Sequence, residues 1–174
     1  MSPPPAAAPS GGGFLSARDD VRPMRRYFED LEAGDVYELD GRYEFDAAEI
    51  KAFAEQYDPQ PFHLDEAAAE ESIFGSLAAS GWHTASACMR LLVDGFLDPE
   101  TSMGASGVEE LRWIEPVHPG DTLRVEVEVL EKRVSESRPR MGHVRMTLTG
   151  YNQDEDPVIE WTSTGMYRRR NPGG

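Results

Sequence analysis

From Gly107 onward, apolar and polar residues alternate along the chain. The alternation is clearest at Leu123, Val125, Val127 and Val129, which face one way while Arg124, Glu126 and Glu128 face the other. This period of two predicts a strand with one buried face. The same reading predicts further strands at about residues 107–114, 142–151 and 157–168. Between them lie His118-Pro119-Gly120-Asp121, Ser135 to Arg140 and Asn152 to Pro157, segments rich in turn-forming residues. Long strands joined by short turns predict an antiparallel meander. Upstream, residues 36–45 (VYELDGRYEF) mix aromatic, β-branched and polar residues and predict one strand or a pair of short ones.

At Asp46 the period changes. Ile50, Phe53, Ala54 and Tyr57 recur at helical spacing, and Asp46 with Glu49 three residues on resembles a capping box. Asp65 is placed to cap a second short helix running through Glu71. Between Thr84 and Leu97 every residue except Arg90 and Asp94 is apolar or small. A helix there is expected to be buried over most of its circumference. One apolar helix followed by a meander predicts an α+β domain, a curved antiparallel sheet wrapped around a central helix.

The segment between these helices reads DPQPFH, residues 58–63. Each proline fixes its own φ and biases the residue before it, Asp58 or Gln60, away from the helical region. The hexapeptide is therefore expected to be rigid and non-helical. Such a segment can hold Asp58 and His63 at a set separation, as an acid/base pair requires; a proline-stiffened loop with a surface Asp fits the same residues. Further on, Ser80 and Gly81 precede the apolar helix. Glycine at that point permits close approach and leaves free N–H groups pointing outward.

Composition narrows the classes of function. The chain has 174 residues, enough for one domain with a real core. No run approaches the ~20 consecutive apolar residues of a membrane helix, and MSPPPAAAPSGGG lacks the pattern of a secretory signal. Residues 1–21 are expected to form a flexible Pro/Ala/Gly-rich tail ahead of a single domain over 22–170, in a cytoplasmic protein. A net charge of −15 argues against a nucleic-acid partner. Cys88, the only cysteine, sits in an apolar stretch and reads as a core residue. His83, His118 and His143 show no metal-ligand spacing and read as packing, turn or surface residues. Trp113 and Trp161 fall on predicted strands as core or interface residues, and Arg90 with Asp94 forms an i, i+4 pair.

Beyond these local readings, FAEQYDPQPFHLDEAAAEESIFGSLAASGWHTA resembles the MaoC-like (R)-specific enoyl-CoA hydratases and dehydratases. That family carries an Asp-x-Asn-Pro-x-His loop followed by an Ala-His-Gly helix start. LRWIEPVHPGDTLRVEVEV is similar to the family's strand-turn-strand, and the resemblance spans roughly residues 27–168. It implies a hot-dog fold, usually dimeric or of higher order. It also implies syn addition of water to a trans-2-enoyl thioester, or the reverse dehydration, without metal or redox cofactor. The thioester would be carried by CoA or an acyl-carrier protein. By the same resemblance Asp58 and His63 align with the water-activating dyad, and Gly81 with the glycine whose N–H polarises the thioester carbonyl. Gln60 stands where the family has Asn, and Ser80 where it has His. Both, with Trp82, are expected to shape the acyl pocket. A thioesterase on the same fold and a non-catalytic acyl-thioester-binding protein are the alternative readings.

Overall fold

The computed structural model describes residues 14–15 and 24–172. The tail expected over residues 1–21 lies outside the described residues apart from Phe14–Leu15, which form strand β1 against β3. In chain order there follow a 3₁₀ turn at Phe28–Asp30, β2 (Val36–Glu38), β3 (Arg42–Glu44), α1 (Ala47–Tyr57), α2 (Pro61–Leu64), α3 (Glu66–Glu70) and α4 (Gly81–Gly95). Four long strands complete the chain: β4 (Ser102–Trp113), β5 (Thr122–Val134), β6 (Met141–Tyr151) and β7 (Pro157–Arg168). The sheet is antiparallel in the order β1-β3-β5-β6-β7-β4, with β2 also pairing with β5.

The meander holds for β5, β6 and β7 but not for β4. That strand begins at Ser102, earlier than the alternation suggests, and pairs with β7 instead of β5. The reason lies in residues 114–121, which do not turn back on β4. They cross the end of the sheet, where the Val117 carbonyl accepts from Ala79 N–H at 2.8 Å and Gly120 N–H donates to the Phe45 carbonyl at 2.7 Å. This crossing brings Val117 beside Ala79, just ahead of α4.

The predicted alternation on β5 is present. Leu123, Val125, Val127 and Val129 are buried, and each contributes about 1.5–3 kcal/mol relative to exposure. Against this face lies α4 with Ala87, Cys88, Leu91 and Leu92 buried. The helix approaches the sheet closely at Gly150 of β6, where a Cβ would come within 2.9 Å of Cys88 Sγ and 2.7 Å of Ile159. Only glycine lets the helix settle that deeply.

In a single chain α4 is not enclosed over most of its circumference. Trp82, Met89 and Val93 are exposed along one stripe, because sheet and loops cover only the opposite face. The edge strand β4 is likewise open, with Val108 57% and Trp113 48% exposed. Among the described residues no helix is long and apolar enough to cross a membrane.

Candidate active site

Asp46 starts the path to the site by capping α1, its side chain accepting from Glu49 N–H at 2.8 Å. The reciprocal half of the expected capping box is absent, since the Glu49 carboxyl accepts from the Tyr43 hydroxyl instead. α1 is closed by Asp58, whose non-helical backbone (φ −150°, ψ 65°) accords with the following proline. The prediction that DPQPFH contains no helix fails at its second half, where Pro61 opens the one-turn helix α2 carrying His63. A proline at the first helical position loses no hydrogen bond, and its φ already suits a helix. Gln60 before it stays extended, as expected (φ −94°, ψ 143°).

Asp58 and His63 meet across this bend, with Oδ2 and Nε2 3.3 Å apart. His63 is buried, and its Nδ1 lies 2.7 Å from the Ala78 carbonyl. A carbonyl only accepts, so Nδ1 carries a proton and Nε2 faces the carboxylate. Ser80 donates to Asp58 Oδ2 at 2.7 Å and Gln60 donates to Oδ1 at 2.6 Å. Burial alone would raise the Asp58 carboxyl. The hydrogen bonds from Ser80 and Gln60 and the neighbouring imidazole outweigh it and hold the group below its ordinary 3.8. The two departures from the family pattern thus both end on the carboxylate and fix its orientation.

Ser80 also caps α4, its hydroxyl accepting from Trp82 N–H at 3.2 Å. Gly81 opens the helix, and among the described residues its N–H takes no hydrogen-bond acceptor. The residue that requires glycine here is Trp113 at the end of β4, whose ring atoms would stand 2.4–2.6 Å from a Cβ at position 81. Trp82 points to the open side and packs edge-to-face on Trp113 with ring centroids 5.1 Å apart. The site therefore gathers an ionised carboxylate, an imidazole nitrogen and a free helix-start N–H favoured by the macrodipole. A water near Asp58 and Nε2 would be held by two groups able to exchange its protons.

Every site residue expected from the sequence lies in this region, but its neighbours there were not expected. Trp113 reads from its strand as core or interface, and only the β4 return brings it onto Gly81. His83 reads as packing, yet it is buried beside two polar groups, with Nε2 3.3 Å from the Tyr43 hydroxyl and 3.9 Å from Glu49. Burial lowers His83 to about 4 and keeps it neutral. Nothing local in the sequence links Tyr43, Glu49 and His83. The remaining readings stand: Cys88 is buried with its thiol pushed up by desolvation, Trp161 is core, and Arg90 pairs with Asp94 at 2.7 Å. His118 serves the turn, its Nδ1 lying 2.8 Å from the Leu77 carbonyl. Among the described residues no cluster of three or more His, Cys, Asp or Glu side chains is placed to hold a metal.

The fold is that of the hot-dog proteins, and the relatives and solved structures it resembles include hydratases and dehydratases. The MaoC-like domain model matches residues 30–152, and the chain belongs to that family. It is 39% identical over 121 residues to Protein MaoC of Klebsiella aerogenes, covering 69% of this chain but only 35% of that protein. It is 34% identical over 117 residues to a 3-hydroxybutyryl-CoA dehydratase of Methylorubrum extorquens, covering 66% of this chain and 71% of the relative. Among solved structures, a MaoC-like dehydratase from Rhodospirillum rubrum superimposes with a TM-score of 0.78 at 46% identity, over 84% of this chain and 99% of that one.

Proposed function

We propose that the protein is an acyl-thioester hydratase/dehydratase that adds water in the syn sense to a trans-2-enoyl thioester, or removes it from the (R)-3-hydroxyacyl thioester. The observation that carries this reading is the meeting of Asp58, His63 and the Gly81 N–H at one end of α4. In the hydration direction the water oxygen bonds to C3 as Asp58 accepts one of its protons. The C2–C3 π electrons move toward the thioester carbonyl, whose developing charge the Gly81 N–H stabilises. His63, protonated at Nε2, delivers a proton to C2 on the same face. Transfer from Asp58 to Nε2 across the 3.3 Å gap then restores the pair. One water is consumed per double bond.

The open β4 edge and the apolar stripe of α4 support self-association as part of this reading. Unpaired strand edges bearing apolar side chains are ordinarily covered, and here Val108, Trp113, Met89 and Val93 lie on such a surface. The chain would act as a homodimer or a higher homo-oligomer on CoA-linked or carrier-linked acyl groups.

A panel of enoyl-CoAs, assayed for both loss of the conjugated double bond and release of free thiol, tests the assignment. Loss of the double bond without thiol release is the expected result. Thiol release with the double bond intact would indicate a thioesterase, and binding without either change a non-catalytic acyl-binding protein.

A further inference from the structure

A groove of about 390 Å³ runs between α1 and α4, with Glu49, Phe53 and Gln56 on one wall, His83 and Ser86 on the other, and Tyr43 contributed by β3. Tyr57, which also lines it, immediately precedes Asp58. Ser86 lies five residues into α4 from Gly81, roughly 7.5 Å along the axis at 1.5 Å per residue. An acyl chain with its carbonyl at Gly81 would enter this groove within a few carbon atoms.

Its base carries polar groups that a plain alkyl chain would leave unpaired. The Tyr43 hydroxyl donates to Glu49 Oε1, and its oxygen lies 3.3 Å from His83 Nε2. With its O–H engaged as donor to Glu49, that oxygen accepts from Nε2–H, which fixes the neutral imidazole's tautomer and leaves Nδ1 as an acceptor. Glu49 Oε2 and His83 Nδ1 are both buried without a hydrogen-bond partner among the described residues. His83 itself is 3% exposed, stacked on Phe53 at 4.7 Å and edge-on to Phe45 at 4.9 Å. Asp46 adds further negative potential at both groups. Burial, with Asp46, raises the Glu49 carboxyl, so the base of the groove offers buried acceptors under the negative potential of Asp46, a setting that favours a neutral donor over a carboxylate.

We infer that this groove receives the acyl group and that Glu49 and His83 bind a hydroxyl carried by it beyond the reacting carbons. The inference rests on the hydratase/dehydratase reading for the identity of the ligand as an acyl thioester. Glu49 and His83 then determine specificity, while Asp58 and His63 carry the reaction.

The test uses the full chain and three unreactive saturated thioesters, hexanoyl-CoA, 6-hydroxyhexanoyl-CoA and 5-carboxypentanoyl-CoA, titrated calorimetrically. The 2-enoyl counterparts are followed for hydration in parallel. The hydroxylated thioester is expected to bind about ten- to hundredfold more tightly than the other two, the range for a hydrogen bond to a buried group otherwise left unpaired. Glu49→Met and His83→Phe should each bring that ratio to within about twofold. Equal binding of the three by the wild-type protein, or preference for the alkyl or carboxylate form, overturns the inference whether or not the variants fold. Preference for the hydroxyl with no hydration of any enoyl thioester would retain the groove's specificity and overturn the hydratase reading instead.

Discussion

Asp58 illustrates how two substituted positions of a motif can still serve it. A carboxylate in this setting would drift upward on burial, and Ser80 and Gln60 reverse that drift by donating to its two oxygens. Because the group is held below 3.8, its ionised form persists to lower pH than usual and is lost only as the pH falls through that depressed value. Removing one donor should move the acid limb of kcat/KM upward, so Ser80→Ala is expected to lose activity at a higher pH than the wild type. An unshifted acid limb in this variant would remove Ser80 from that role. His83 gives a second prediction with the opposite readout. It stays neutral in the fold down to about 4, while an unfolded chain takes up the proton near 6.5. The unfolded state therefore binds more protons between these values, and stability falls as the pH drops through that window, by up to about 3 kcal/mol. Thermal melts from pH 7 to pH 4.5 should show a shallower loss for His83→Phe than for the wild type.

Among the elements, the joining of α4 to β4 has the most consequence for the site. Trp113 occupies the space a side chain at position 81 would need, so Gly81→Ala must displace an indole ring. Overpacking of this kind costs about 1–3 kcal/mol. Gly81→Ala is expected to lower the melting temperature and hydration activity together, and Trp113→Val in the same chain should recover the melting temperature. No recovery would mean that the glycine is needed for another reason. The sequence makes α1, the α4 start and the β5 alternation legible because each is a local signal: a cap, a glycine, a period of two. It does not disclose the β4–β7 pairing, which depends on residues 114–121 docking at Ala79 and Phe45 instead of closing a hairpin. The one-turn helix at Pro61 was hidden for a related reason. A proline argues against helix in general but is at home in a helix's first position. Asp58, His63 and Gly81 could be picked out from motif residues close in sequence. Trp113, Tyr43 and Glu49 reach the same region only through the fold.

Taken as a whole, the single chain leaves an apolar strip running from α4 to the outer edge of β4. The sequence predicts a helix buried over most of its circumference, whereas the structure buries it on one side and leaves an exposed apolar surface on the other. A charge placed on the exposed β4 edge should prevent self-association without touching the core. In light scattering coupled to gel filtration, the wild type is expected at twice the mass of the single chain or more, and Val108→Glu at the monomer mass. A monomeric wild type would rule out β4 as a self-pairing edge.

The proposal turns on whether Asp58 and His63 exchange protons with the water that adds to the double bond. The most direct measurement is the hydration of crotonyl-CoA, followed by loss of the enoyl absorbance, in the wild type, Asp58→Asn and His63→Ala, with folding checked by circular dichroism. Each substitution is expected to lower kcat/KM by about 10²–10⁴-fold while the fold is retained. Folded variants that hydrate crotonyl-CoA at the wild-type rate would contradict the assignment.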